Sequence, residues 1–274
     1  MELFLRKWRA QIGEFSTDQL RIQFKVSKSL EKEPNTCELR ITNLAAESRG
    51  KLKGAGLAVI VEAGYAGGLG VIFSGDSRTV DHANEKGDWL TLAQCGDGEQ
   101  AYLYARCNES FAPGARVADV ARSVASKMSL NKGNLEDALA QPLKASVFTH
   151  GYTAFGKASE VFSKLMTTAG YTWSVQQGAI QVLKAGEAIQ ASAYSLSAAT
   201  GLVGSPVHAP PDKKKKGSFI KVKSLLNPQL APGRVVTLDS RFVKGEFVIQ
   251  KLEHEGDSHG RDWFTTFEAV ARKT

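Results

Sequence analysis

The feature that most constrains this chain is a hairpin that occurs twice. In the later copy, between Phe247 and Phe267, a strand ends Leu252-Glu253-His254, a polar Gly-containing turn follows, and the return opens Asp262-Trp263-Phe264-Thr265. In the shorter, earlier copy, between Val71 and Leu92, the strand ends Val80-Asp81-His82, turns through Gly87 and returns as Asp88-Trp89-Leu90-Thr91. The spacing from the acid-His pair to the Trp differs by two residues, an even number that keeps the same side chains on the same face of the returning strand. Upstream, Gly56-Leu57-Ala58-Val59-Ile60-Val61 corresponds to Gly233-Arg234-Val235-Val236-Thr237-Leu238, each a Gly-led apolar strand before its hairpin. Two related β units, separated by something else, are therefore expected.

In the first unit, Leu20, Ile22, Phe24 and Val26 alternate with Arg21, Gln23 and Lys25, the period of a strand with one wet face. Pro34-Asn35 turns the chain, and Cys37, Leu39 and Ile41 resume the alternation. Residues 45–53 are polar and suit a short helical crossover, and the glycines between Gly64 and Gly70 turn the chain into the Val71 strand. About six strands with local connections suggest a small closed or nearly closed barrel.

Beyond Gly96-Asp97-Gly98 the period changes. Val117, Val120, Ala121, Val124 and Met128 fall at helical spacing after the breaker Pro113-Gly114, and Ala158, Val161, Phe162, Leu165 and Ala169 mark a second helix that Gly170 ends. Tyr171, Trp173 and Val175 then alternate, Gln176-Gln177-Gly178 turns, and Ile180 and Val182 return. The expected fold is α+β, mainly β: two related small antiparallel β-barrel domains, 1–106 and 219–274, an α/β middle domain over 107–190, and a linker or long loop over 191–218. The last unit has fewer strands than the first, so it is either a smaller barrel or one that takes strands from the linker or a neighbouring subunit.

The charge of +7 would allow contact with an acidic surface, but much of the excess sits in Lys213, Lys214, Lys215 and Lys216 beside Pro210-Pro211 and Gly217. Such a run reads as a solvated loop and a possible interaction loop. The three cysteines Cys37, Cys95 and Cys107 have no metal-ligand spacing, and their odd number argues against a disulfide framework. The N-terminal stretch is too charged for a signal peptide, and no apolar run is long enough to cross a bilayer; folding in a cytoplasm without membrane insertion is expected.

Catalytic chemistry finds little support. His254-Glu255-Gly256-Asp257-Ser258-His259 concentrates imidazoles and carboxylates, but all lie in one turn, where Gly, Asp and Ser serve the backbone, and the earlier copy keeps only His82. No Gly-x-Ser-x-Gly elbow precedes a helix. The glycines of 64–70 join two strands rather than a strand and a helix, so they do not form a phosphate cradle. No catalytic residue, metal or cofactor is expected, and Trp89 and Trp263 are assigned as repeat-equivalent structural aromatics.

Further motifs carry a family resemblance. In the second half they are Thr200-Gly201-Leu202-Val203-Gly204-Ser205-Pro206, Ser224-Leu225-Leu226-Asn227-Pro228, Pro232-Gly233, Leu252-Glu253-His254 with Gly256-Asp257, and Asp262-Trp263. In the first half they are Ile41-Thr42-Asn43-Leu44, Gly64-Tyr65, Phe73-Ser74-Gly75 and Gly96-Asp97-Gly98. In this order they resemble the hub proteins of phage tail baseplates and contractile injection machines, the late-control and Mu-type hubs. The resemblance implies a homotrimer whose six tail-tube-like barrels form a pseudo-hexameric ring between the tail tube protein and a central spike protein. Tape measure protein and then DNA would pass through it without specific binding, with other baseplate proteins around it, in a virion tail assembled in the host cytoplasm. Relatives with lytic or peptidoglycan-binding extensions carry them beyond the point where this sequence stops. Outer-face residues such as Arg21, Lys25, Arg40, Lys221 and Lys223 are candidates for subunit contacts. The alternative reading, a nucleic-acid-binding protein built from small β-barrels, fits the basic charge but lacks aromatics interleaved with Lys and Arg on a strand face.

Overall fold

The computed structural model describes residues 5–140, 146–184, 187–189, 192–208 and 219–272. The chain divides into two compact units: Met1–Ser29, Asn35–Gly96 and Gly186–Thr274 form one, and Leu30–Pro34 with Asp97–Ala185 form the other. Both halves of the repeat lie in the first unit.

The first half contains β1 (Arg6–Ile12), β2 (Phe15–Thr17), β3 (Ile22–Ser29), β4 (Thr36–Thr42), a short helix α1 (Ala46–Lys51), β5 (Ala58–Tyr65), β6 (Gly68–Glu85) and β7 (Asp88–Gly96). Alternation drives these strands: Ile22, Phe24 and Val26 of β3 face a core with Leu39, Ile41, Val59, Val61 and Phe73, while Lys25 stays in solvent. β1 was not anticipated, since Arg6-Lys7-Trp8-Arg9 hides a period-two pattern under charge; it pairs antiparallel with β5.

The second unit contains α2 (Glu99–Tyr104), β8 (Arg106–Phe111), β9 (Ala115–Arg116), α3 (Val117–Lys127), α4 (Leu135–Ala140), β10 (Val147–Phe148), β11 (Tyr152–Lys157), α5 (Ala158–Thr168), β12 (Tyr171–Gln176) and β13 (Ala179–Lys184). Its strands form three two-stranded ladders, β8 with β11, β9 with β10 and β12 with β13. The helices α3 and α5 bury Val120, Ala121, Val124, Phe162 and Leu165 together, against Trp173 of β12. The Trp173 ring meets Phe162 edge-on, with centroids 5.1 Å apart. Asp97, buried, accepts the backbone N–H groups of Gln177 and Gly178 at 2.7 and 2.8 Å. That tie places the residues just after Gly96 with this unit rather than with the β half that precedes them.

The second half of the first unit contains β14 (Tyr194–Ser197), β15 (Leu202–His208), β16 (Phe219–Leu225), β17 (Val235–Asp239), β18 (Lys244–Asp257) and β19 (Trp263–Ala271). The stretch expected as linker or long loop thus supplies two strands: β14 pairs parallel with β17, and β15 pairs antiparallel with β16. Its Ser, Ala and Gly content masked them. Thr200 caps the turn between them, its hydroxyl accepting the Ser197 N–H at 2.7 Å. A second core, of Ile220, Val222, Val236, Leu238, Ile249, Leu252 and Phe267, lies under these strands.

The repeat extends to irregularities of the backbone. β5-β6-β7 and β17-β18-β19 are matching meanders. The Gly56 N–H donates to Ser77 O and the Ser77 N–H to Leu57 O; in the second half Gly233 donates to Ile249 O and Ile249 to Arg234 O. Directly after these bonds both long strands bulge, between Ser77 and Thr79 and between Ile249 and Lys251. His82 then lies opposite Thr91 and His254 opposite Thr265. Even the entry into the first sheet edge repeats, with the Thr42 N–H donating to Arg21 O and the Leu225 N–H to Gly201 O.

Candidate functional site

The two halves are joined edge to edge. The first part of β18 pairs with β17, but beyond the bulge its outer edge pairs with β3, from Lys251 opposite Ser29 to Asp257 opposite Gln23. This seam makes one hydrogen-bonded sheet that runs β15-β16-β19-β18-β3-β4-β7-β6-β5-β1-β2.

Side chains concentrate on the seam. Asp257, nearly buried, accepts Arg21 Nε at 3.1 Å and an Arg21 Nη at 2.6 Å, Gln23 Nε2 at 2.9 Å and the His259 N–H at 3.0 Å. These bonds, Arg21 foremost, hold its carboxyl well below the usual carboxylate range. The Arg6 guanidinium donates to the carbonyls of Asp257, Gly260 and Arg261 and lies 5.4 Å from the Trp263 ring centre. Lys25 pairs with Glu253 at 3.3 Å. A polar groove of about 210 Å³ follows the same line, between Gln23, Lys25, Glu38, Arg40, Glu255 and Asp262; its mixed charges favour no single sign of ligand.

Trp263 closes the seam from inside. It comes from the second half but is buried in the core of the first, edge-on to Phe24 at 5.2 Å, its Nε1 donating to Gly64 O at 3.2 Å. Gly256 leaves it room: a Cβ there would stand 2.3 Å from the Phe24 ring and 2.8 Å from Trp263. Its repeat partner Trp89 has 39% of its surface exposed, with the Arg49 guanidinium 3.9 Å from its ring centre. The equivalent tryptophans therefore occupy opposite environments.

The histidines differ in the same sense. His82 shares a bond of 3.0 Å with Thr91 and, through Nε2, reaches Leu52 O at 2.8 Å. His254 is fully buried, bonds Thr265 at 2.8 Å, and leaves its Nε2 without a partner. Burial first, and Lys28 nearby, push its pKa down to about 3, so this imidazole is neutral in the fold. Ser258 shares a bond of 2.9 Å with His259, whose ring meets Trp8 edge-on at 5.9 Å. Of this turn, Asp257 holds the seam through Arg21 and Gln23, and Ser258 through its hydroxyl, which accepts the Ile22 N–H at 3.0 Å. Among the described residues no group of three or more His, Cys, Asp or Glu side chains is placed to hold a metal, and no helix is long and apolar enough to cross a membrane. Cys37, Cys95 and Cys107 are free and buried, and Lys213, Lys214, Lys215 and Lys216 lie outside the described residues.

A family model described as baseplate hub gp41 matches residues 10–269. The chain belongs to the baseplate hub gp41 family. No curated protein sequence matches it. Similar solved structures include a 43 kDa tail protein of prophage MuSo2 from Shewanella oneidensis, with a TM-score of 0.69 at 10% identity over 97% of both chains. A tail protein from Neisseria meningitidis MC58 gives 0.65 at 10% identity, again over 97% of both chains. An E. coli component of the type VI secretion system, described as similar to T4 bacteriophage tail proteins gp27 and gp5, gives 0.63 at 11% identity over 96% of this chain and 77% of that one. At such identities these likenesses show the fold; the family match makes this hub a structural component of the phage tail baseplate.

Two outcomes follow for the hub's stability. Trp263→Ala should cost about 3–5 kcal/mol in urea unfolding, as core tryptophan truncations do, while Trp89→Ala should cost less than about 1 kcal/mol; equal losses would contradict the seam's core role. Both His254 and Asp257 have pKa values depressed by folding, so their contribution is full above the unfolded values and is lost as pH falls. For His254 the window runs from 6.5 down to about 3, and for Asp257 it lies below 3.8. His254→Gln should flatten the upper window and Asp257→Asn the lower one in denaturation midpoints measured against pH. Slopes identical to the unsubstituted chain would count against this.

Proposed function

We propose that the hub works by shape, as a symmetry adaptor: three copies form a ring of six tail-tube-like β halves that fits the tail tube on one side and a threefold central spike on the other. The observation that carries this reading is the duplication, repeated down to a bulge, with its two halves already joined edge to edge in one sheet. A chain that holds two copies of one building block, set side by side, offers sixfold spacing from three chains. An enzyme would need a cleft with shifted titrating groups free to act in it; here Asp257, which lines the polar groove, is taken up by Arg21 and Gln23, and His254 is buried with Thr265. The E. coli relative, described as similar to tail proteins of T4 and part of a secretion machine, supports the same class of assembly.

In this reading the central opening passes tape measure protein and then DNA without specific binding, and the chain needs no cofactor and inserts in no membrane. Assembly takes place in the host cytoplasm before the particle is complete. Cryo-imaging of tail tips with this chain tagged tests it. Three tags in a ring between tube and spike are expected. Any other copy number, or absence from the particle, would overturn it.

A further inference from the structure

The second unit holds a pocket that the described side chains leave open. On α5, Lys164, Leu165, Thr168 and Ala169 recur at helical spacing and share a face. That face stands across from Val117, Phe148 and Tyr152, around a mainly apolar cavity of about 260 Å³. The Phe148 and Tyr152 rings stack, with centroids 4.5 Å apart.

Backbone bonds, not a filled interior, hold the walls apart. Phe148 O accepts the N–H groups of Gly114 at 2.8 Å and Gly151 at 3.2 Å, and Ser146 O accepts that of Val117 at 2.9 Å. The β9–β10 ladder, with Ala115 opposite Phe148, fixes the same loop. Gly151 has a φ of +79°, and a Cβ there would meet Phe111 O at 2.6 Å, so the tight turn that returns Tyr152 beside Phe148 needs glycine. A cavity framed in this way does not collapse, and water inside it finds few polar partners. It is preorganised for an apolar group.

Charge at the rim limits what that group can belong to. Glu160, one turn before Lys164, lies 3.9 Å from Lys157, and Asp119, just after Val117, is paired with Arg122 at 2.9 Å. Lys164 and the exposed Arg116 have no ion-pair partner among the described residues. We propose that the pocket receives a segment of another protein of the tail, with a bulky apolar side chain in the cavity and an adjacent Asp or Glu at Lys164. The apolar contact carries the affinity, since an exposed ion pair adds little, and Lys164 selects which segments are accepted. A nucleic-acid strand would call for a longer basic track beside its aromatics. All the lining residues belong to the second unit, so the proposal goes beyond the ring reading and does not rest on it.

Photo-cross-linking in assembled tail particles tests the site. A benzophenone amino acid replaces Thr167, which is exposed next to Thr168. Irradiation should join the chain to a different protein of the particle, at a segment that mass spectrometry reads as an aromatic or branched apolar residue flanked by Asp or Glu. Thr168→Trp, which fills the mouth from an exposed position, should abolish the cross-link. Lys164→Glu should lower its yield about tenfold or more, and Lys164→Arg should keep it. No cross-link, one to a second copy of this chain, or one to residues 141–145 of the same chain would overturn the proposal. So would a captured segment without an acidic residue, or a yield indifferent to Lys164→Glu. A copy number other than three with the cross-link intact would overturn the ring and leave this site, and absence of the chain from the particle would overturn both.

Discussion

The pairing of β18 with β3 is the constraint on which the rest of the unit depends. It joins residues more than two hundred positions apart in sequence, so the chain must close a long loop before the contact returns any stabilisation. That explains why polar detail gathers there. A ladder alone would fix strand neighbours, but a slip of one residue would turn Phe24 and Val26 out of the core. The bidentate bond of Arg21 to Asp257, the three carbonyls held by Arg6 and the fit of Trp263 over Gly256 each oppose such a slip. Arg21 itself is half in water, so its part is positional more than energetic.

The same pairing accounts for how the two copies have diverged. In the second half the neighbour is always present, and Trp263 and His254 are buried by it to the point that His254 stays neutral and one of its nitrogens goes without a bond. In the first half no strand lies on that edge among the described residues, and His82 instead finds Leu52 O while Trp89 is covered on one face by Arg49. One sequence motif thus meets two environments, and the hydrogen-bond inventory of each histidine follows its environment rather than its motif.

Much of this was legible in the sequence, and the limit has a physical form. Period-two alternation exposed β3, β4, β12 and β13, and the acid-His to Trp spacing exposed the duplication, because strand geometry writes itself into neighbouring residues. The helices α3 and α5 were equally open, their apolar faces recurring at helical spacing. The strands β14 and β15 were not, because Ser, Gly and Pro carry little strand preference and their pairing is supplied by β16 and β17. Nor could the sequence separate Trp89 from Trp263: their local motifs match, and only the long-range seam makes one core and the other surface.

An exposed strand edge invites unwanted partners, so a protein that leaves one open must guard it. Two strand edges of this sheet carry such guards. β15 holds Pro206, which has no N–H to offer, within a three-residue bulge between Val203 and Val207 that breaks a regular ladder. The β6 edge bears Asp81 and Glu85 exposed along its length, and ends in Lys86 at a positive φ of 54° before Gly87. A generic strand meeting β15 finds interrupted backbone, and one meeting the β6 edge finds charge. Guards of this kind lower the chance that either edge pairs with an unrelated strand.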